Sequence, residues 1–223
     1  MSKSLLICAM IPDYPKLDEF DAVFGINAVY ARPHFAKRKL DRLYFFDDHK
    51  LIDDRFVPRV NKYGCRVITR WHEPEIPKSE PYPLKDVVAA LGGIEYFTCS
   101  VAYCIAHAIY EGWTDITLAG MYHPHDSHEY MHHKDCIHYW LGIAVGMGIN
   151  LNIHGETMLL KPHLWESKLY GFETNEMRWL PIHTLGGAYK ACIDYPVRMV
   201  KAKRPSTSRG KPKPVGVANA AAN

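Results

Sequence analysis

Three features of the sequence predict a three-layer α/β fold with a mostly parallel sheet. Short apolar runs, the first from Leu5 to Met10, are flanked by polar residues, which is the pattern of strands buried on both faces. These runs alternate along the chain with stretches of helical periodicity. The changes of element are abrupt and carry turn chemistry, with Gly112 between a helix and a strand and Asn27 and Gly120 at strand ends.

The first strand ends at Ile11-Pro12-Asp13-Tyr14-Pro15, where two prolines stop the hydrogen-bond ladder and force a loop. Ala22 to Ile26 reads as a second strand closed by Asn27. Leu43-Tyr44-Phe45-Phe46 reads as a third that stops at Asp47-Asp48-His49, and Arg66 to Thr69 as a fourth. From Trp71 to Leu84 the prolines 74, 77, 81 and 83 predict loop. Thr98 to Glu111 is the clearest helix, with Val101, Ile105, Ala108 and Ile109 at helical spacing and Gly112 as its stop. Ile116 to Ala119 follows as a strand ending at Gly120, then a helix over His138 to Met147 and a strand over Ile149 to Ile153. Strands alternating with helices in this way give a Rossmann-like arrangement, predicted to fill residues 1–200 as one α/β domain. Residues 201–223, rich in Pro, Lys, Gly and Ala, are predicted to form a disordered basic tail.

Composition narrows the function classes. The chain has 223 residues and a net charge of +3, part of which lies in Lys201, Lys203, Arg204, Arg209, Lys211 and Lys213. A nearly neutral folded part makes no case for a dedicated nucleic-acid binder, leaving weak contact by the tail as the one such option. The six cysteines form no C-x-x-C pair, no secretory leader follows the first Met, and no apolar run approaches the roughly 20 residues that span a bilayer. The expectation is a cytoplasmic protein that binds no membrane.

In open α/β sheets, ligands bind beyond the carboxyl ends of the strands, where strand order reverses. The loops at Pro12 to Tyr14, Asn27 to Tyr30, Asp47 to His49 and Gly120 onward meet that description, and so does the start of the helix at Thr98. Thr98-Cys99-Ser100 could hold an anionic group through hydroxyls and free backbone N–H groups, or simply cap its own helix. Asn27 could bond a base or sugar, or close a turn.

The segment from His123 to His133 is the most unusual. Imidazoles beside carboxylates suit zinc or general-base chemistry, and His128 and His132 are four apart with Glu129 next to the first. A variable polar loop over a pocket is the alternative. The turn Leu169-Tyr170-Gly171-Phe172-Glu173 could wall a pocket or seal the core. Cysteines outside the histidine segment and the Thr98 helix are assigned to the core.

From about Leu5 to Glu173 the chain resembles a group of bacteriophage-encoded Rossmann-like proteins of uncharacterised function. The stretches that carry this are Val23-Phe24-Gly25-Ile26-Asn27, Phe45-Phe46-Asp47-Asp48-His49, Tyr82-Pro83-Leu84, Phe97-Thr98-Cys99-Ser100-Val101-Ala102-Tyr103, Ala108-Ile109-Tyr110-Glu111-Gly112, Glu129-Tyr130, Tyr139-Trp140-Leu141-Gly142 and Leu169-Tyr170-Gly171. The layout is more distantly similar to bacterial CMP-sialic-acid sialyltransferases and to motility-accessory and hydroxymethylpterin-diphosphokinase-like proteins. That resemblance implies a nucleotide or nucleotide-sugar pocket at Pro12, Asp13, Asn27, Thr98, Cys99, Ser100 and Gly120. Two departures accompany it. The first loop lacks the glycines usual before a phosphate and carries Asp13 in place of Ser, and Tyr122 stands where relatives carry an Asp.

The expectation is a glycosyltransferase-like enzyme moving a glycosyl or phosphoryl-type group. Glu129 or His133 would be the general base and Tyr130 a donor to the departing phosphate, with no cofactor required beyond the nucleotide. A homo-oligomer is compatible with this. The alternatives are a non-catalytic protein that captures a nucleotide metabolite, a host factor or a virion partner, and a histidine-loop metal-dependent hydrolase.

Overall fold

The computed structural model describes residues 2–48, 55–121, 128–155, 157 and 159–160, with residues 128–131 described by their backbone alone. Seven strands form one sheet: β1 (Ser4–Cys8), β2 (Ala22–Ile26), β3 (Arg42–Tyr44), β4 (Arg66–Thr69), β5 (Ser79–Pro81), β6 (Asp115–Ala119) and β7 (Asn150–His154). Their order is β5-β4-β3-β2-β1-β6-β7, and all adjacent pairs are parallel. The α/β Rossmann-like architecture expected from the sequence is therefore the observed one.

Four helices cover the sheet: α1 (Phe56–Tyr63), α2 (Leu84–Ala90), α3 (Ser100–Tyr110) and α4 (His128–Gly146). The period-2 geometry of a strand sends successive side chains to opposite faces. In β1, Leu5 and Ile7 enter a core shared with α3 and α4, whereas Leu6 and Cys8 enter a second core with Phe56 and Val60 of α1. All four are fully buried. A strand that must be apolar on both faces reads as a continuous apolar run, which is why β1 is evident from sequence.

Three segments differ from expectation. Ser79–Pro81 is a strand within the stretch expected to be loop. It lies at the sheet edge and pairs only with β4, so the missing N–H of Pro81 breaks no ladder. Helices α1 and α2 carry no long apolar stripe and were not expected. Helix α4 begins ten residues before His138, inside the segment expected to be a loop. Among its described side chains Cys136, Ile137, Trp140, Leu141 and Ala144 are buried, and the sequence before them, from His128 to Asp135, is mostly polar, so apolar periodicity does not announce those turns. Trp140 is fully buried and its indole N–H donates to the Tyr96 carbonyl at 2.7 Å, which ties the loop before α3 to α4.

A buried polar group joins β3 to α3. Tyr44 Oη lies 2.8 Å from His107 Nδ1, His107 Nε2 is 3.5 Å from Glu111 Oε1, and Arg42 pairs with the same carboxylate at 2.5 Å. Cys8 and Cys65 are buried free thiols, as assigned, and so are Cys104 within α3 and Cys136 within α4. No helix among the described residues is long and apolar enough to cross a membrane. The aromatic turn at 169–173 and the tail lie outside the described residues.

Candidate functional site

Strand β1 lies between β2 and β6. From it the chain steps outward through β2, β3, β4 and β5 on one side and through β6 and β7 on the other. The switch point is therefore the pair β1 and β6, the place where an open α/β sheet forms a ligand crevice. Beyond both strands the backbone stays joined, with Ala9 N–H donating to Ala119 O at 2.9 Å and Ile11 N–H to Gly120 O at 3.0 Å. Gly120 has φ +68°, and a Cβ on it would lie 2.3 Å from the Ile11 carbonyl oxygen. Only a residue without a side chain permits this approach.

A cavity of about 460 Å³ opens beside this junction. Its size falls within the range of small-molecule sites, roughly 300–1,000 Å³. Ala9, Met10 and Ile11 form one wall, Asn27 leaves β2 beside them, and Asp47 comes from beyond β3. Thr98 to Val101, at the start of α3, face them across the cavity together with Met121 and with His133 from α4.

Asn27 sits in the left-handed region at φ 54°, a strained conformation that Asn tolerates better than most residues. Gly25 explains the tightness of the turn, since a Cβ there would fall 2.5 Å from a Leu40 methyl and 2.6 Å from a Val29 methyl. Asn27 Oδ1 is buried and has no hydrogen-bond partner among the described residues. A buried, unsatisfied acceptor costs about 1–3 kcal/mol.

Helix α3 starts with Cys99 as its N-cap residue, in extended conformation and with no side-chain capping bond. Its first turn therefore lacks the side-chain oxygen that Ser, Thr or Asp would provide at that position, and the Ala102 N–H donates instead to the Cys99 carbonyl at 3.1 Å. With the helix dipole, such an end attracts anions. The Thr98 hydroxyl donates to the His132 carbonyl at 3.2 Å and so fastens α3 to α4. Burial pushes the Cys99 thiol up to about 11, against the downward pull of the Ala102 and Val101 N–H groups, so it is a neutral thiol near pH 7.

Of the residues singled out from sequence, Asn27, Thr98, Cys99, Ser100, Gly120 and His133 converge on this one cavity. Pro12 and Asp13 do not line it. Asp13 Oδ1 lies 3.4 Å from His154 Nε2 at the end of β7, and its carboxylate fills the space where a Cβ on Gly155 would stand. The side chains of Glu129 and Tyr130 lie outside the described residues, although both positions fall in the first turn of α4. Tyr122 and residues 123–127 are likewise outside. Among the described residues no three metal-ligating side chains gather. Asp47 also lines the cavity; sequence reasoning marked its strand-end loop but assigned the residue itself no role. The abrupt passage from Phe45-Phe46 to an acidic pair was the signal for it.

No family model matches the chain, and neither does any curated protein. Among solved structures it is similar to the sialyltransferase CstII from Campylobacter jejuni, solved with a substrate analogue, cytidine-5′-monophosphate. The TM-score is 0.43 at 18% identity, over 68% of this chain and 79% of that one.

Proposed function

We propose that the strand-end cavity binds a nucleotide or nucleotide-sugar, and that the protein is a glycosyltransferase-like enzyme acting on that ligand. One observation carries the reading. Asn27, a side-chain amide in strained backbone whose Oδ1 has no described partner, and an uncapped helix start at Cys99-Ser100 line the same cavity at the switch point of the sheet. An amide and an anion-attracting helix start in one cavity suit a molecule with a sugar or base at one end and a phosphate at the other.

In this reading Asn27 bonds the base or ribose, and Ser100 with the α3 N-terminus holds the phosphate. His133 or Glu129 takes the proton from an acceptor hydroxyl as its oxygen attacks the carbon or phosphorus of the group transferred. The bond to the departing phosphate breaks with its electron pair, and Tyr130 donates a hydrogen bond to the oxygen that leaves.

A non-catalytic capture protein is the second reading. It is favoured by Ala9-Met10-Ile11, which stand where a glycine loop would approach a phosphate, and by a described lining that includes no Lys or Arg.

A thermal-shift screen of nucleotides, nucleotide sugars and divalent metals tests binding, because a ligand at 100 times its Kd stabilises by about 2.7 kcal/mol. A rise with one nucleotide class, lost in Asn27→Ala and in Ser100→Ala, is expected. A rise with a metal alone would remove the reading. Release of free nucleotide from the bound nucleotide-sugar when acceptors are supplied separates the enzyme from the capture protein.

A further inference from the structure

The cavity is polarised in a way that specifies more than a nucleotide. On the β3 side its polar group is an acceptor, the Asp47 carboxylate. Asn27 Oδ1 is buried and unpartnered, and no described residue supplies a hydrogen bond or cation to the Asp47 carboxylate. The two residues leave adjacent parallel strands, whose last paired residues are Ile26 and Tyr44. Neighbouring strands run about 4.8 Å apart, so these acceptors emerge side by side at the strand ends. The start of α3, which attracts anions, faces them across the cavity.

This arrangement fixes a direction for the ligand. A phosphate next to Asp47 would meet a like charge in a lining whose described residues include no Lys or Arg, so the phosphate belongs at α3. The portion that reaches Asp47 must then carry donors. Within a nucleotide, the group that presents two O–H donors on adjacent atoms is the ribose 2′,3′-diol. A carboxylate accepts on both oxygens, and bonds to an ionised acceptor are roughly twice as strong as neutral ones.

We propose that Asp47 is a specificity-determining residue that accepts from the vicinal diol of the ligand and thereby selects ribonucleotides over 2′-deoxyribonucleotides. Removing the 2′-hydroxyl leaves the carboxylate with one ligand donor fewer, which weakens the wrong ligand relative to the right one. The assignment rests on the nucleotide reading above, and the test separates the two.

Isothermal titration of the full chain with the four ribonucleoside 5′-monophosphates and their 2′-deoxy counterparts gives the measurement. For the base that binds best, the ribo form is expected to bind at least about tenfold more tightly than the deoxy form, a difference of about 1.4 kcal/mol. In Asp47→Ala the two are expected to bind within about twofold of each other. Asp47 is exposed, so the unliganded variant should melt with the wild type. Equal affinities in the wild type, or a ribo preference that survives in Asp47→Ala, would overturn the assignment and leave the nucleotide reading standing. Binding of none of these nucleotides would overturn both.

Discussion

Gly120 lies directly against Ile11: a Cβ on the glycine would stand 2.3 Å from the Ile11 carbonyl oxygen and 2.8 Å from that of Ala9. Both obstacles are backbone, and the β1 and β6 ends are tied by the Ile11 N–H to Gly120 O bond, so neither can swing away. Gly120→Ala is therefore expected to destabilise by about 2–3 kcal/mol through overpacking. Left-handed strain adds about 1 kcal/mol. Because Ala9 to Ile11 form a wall of the cavity, the variant should also bind ligand more weakly than its lost stability accounts for. Urea unfolding and titration of the folded variant measure the two effects, and wild-type values in both would show that the junction is not rigid.

Asn27 opposes stability to binding. Its backbone is left-handed and its Oδ1 is buried without a described partner. Asn27→Gly removes both costs, whereas Asn27→Ala removes the orphaned acceptor but keeps the backbone strain, about 1 kcal/mol for a residue with a Cβ. Asn27→Gly should be the most stable of the three proteins in urea. Both variants should lose ligand binding. An Asn27→Gly protein less stable than wild type would mean that the native Asn side chain supports the fold, and the orphaned acceptor would lose its significance.

The His107 cluster sets an acid limit. Burial, above all, lowers the His107 pKa below its ordinary 6.5, with Arg42 and Arg66 acting in the same direction and Glu111 against them. The native imidazole thus stays neutral at pH values where the unfolded one takes up a proton. Below about pH 6.5 the unfolded state binds more protons, so stability falls as pH drops from there toward the depressed native value, and levels off below it. His138, also lowered by burial and accepting the Leu160 N–H at 2.9 Å, adds to the same slope. His107→Gln should be less stable at pH 7 and should lose less stability than wild type between pH 7 and pH 5. Parallel pH profiles for the two proteins would show that His107 does not carry the effect.

How far the sequence reveals the fold and the site depends on how far apart the interacting residues lie. Continuous burial of Leu5 to Cys8 is a local pattern, and so is the sequence of helix, Gly112 and strand, so both are legible. Asn27 and Thr98 to Ser100 are legible because the end of a strand or the start of a helix is marked locally, and sheet topology brings such ends together. Asp13 was read as a pocket residue from the same logic. Its actual partner, His154, belongs to a strand two places away in the sheet, and that order is set by packing rather than by neighbours in the chain. The early turns of α4 are hidden because their sequence, from His128 to Asp135, is mostly polar.

The remaining prediction concerns a thiol that lines the cavity and is not a nucleophile. Burial holds the Cys99 thiol at about 11, despite the helix-start N–H groups that pull it down. A free cysteine titrates near 8.5, so at pH 7.5 Cys99 carries more than about a hundredfold less thiolate. The same desolvation raises Cys8 and Cys104, and holds Cys65 at about 11. Iodoacetamide should therefore label Cys99 slowly at pH 7.5, and faster as pH rises toward 11. Since Cys99 lines the cavity, a bound nucleotide should slow it further, and Cys99→Ala, which removes the thiol without adding a capping oxygen, should still bind. Peptide mass spectrometry across pH, with and without ligand, gives the rates. Rapid labelling of Cys99 at neutral pH would contradict the buried neutral thiol. Equal rates with and without a ligand shown to bind would place that ligand outside the cavity.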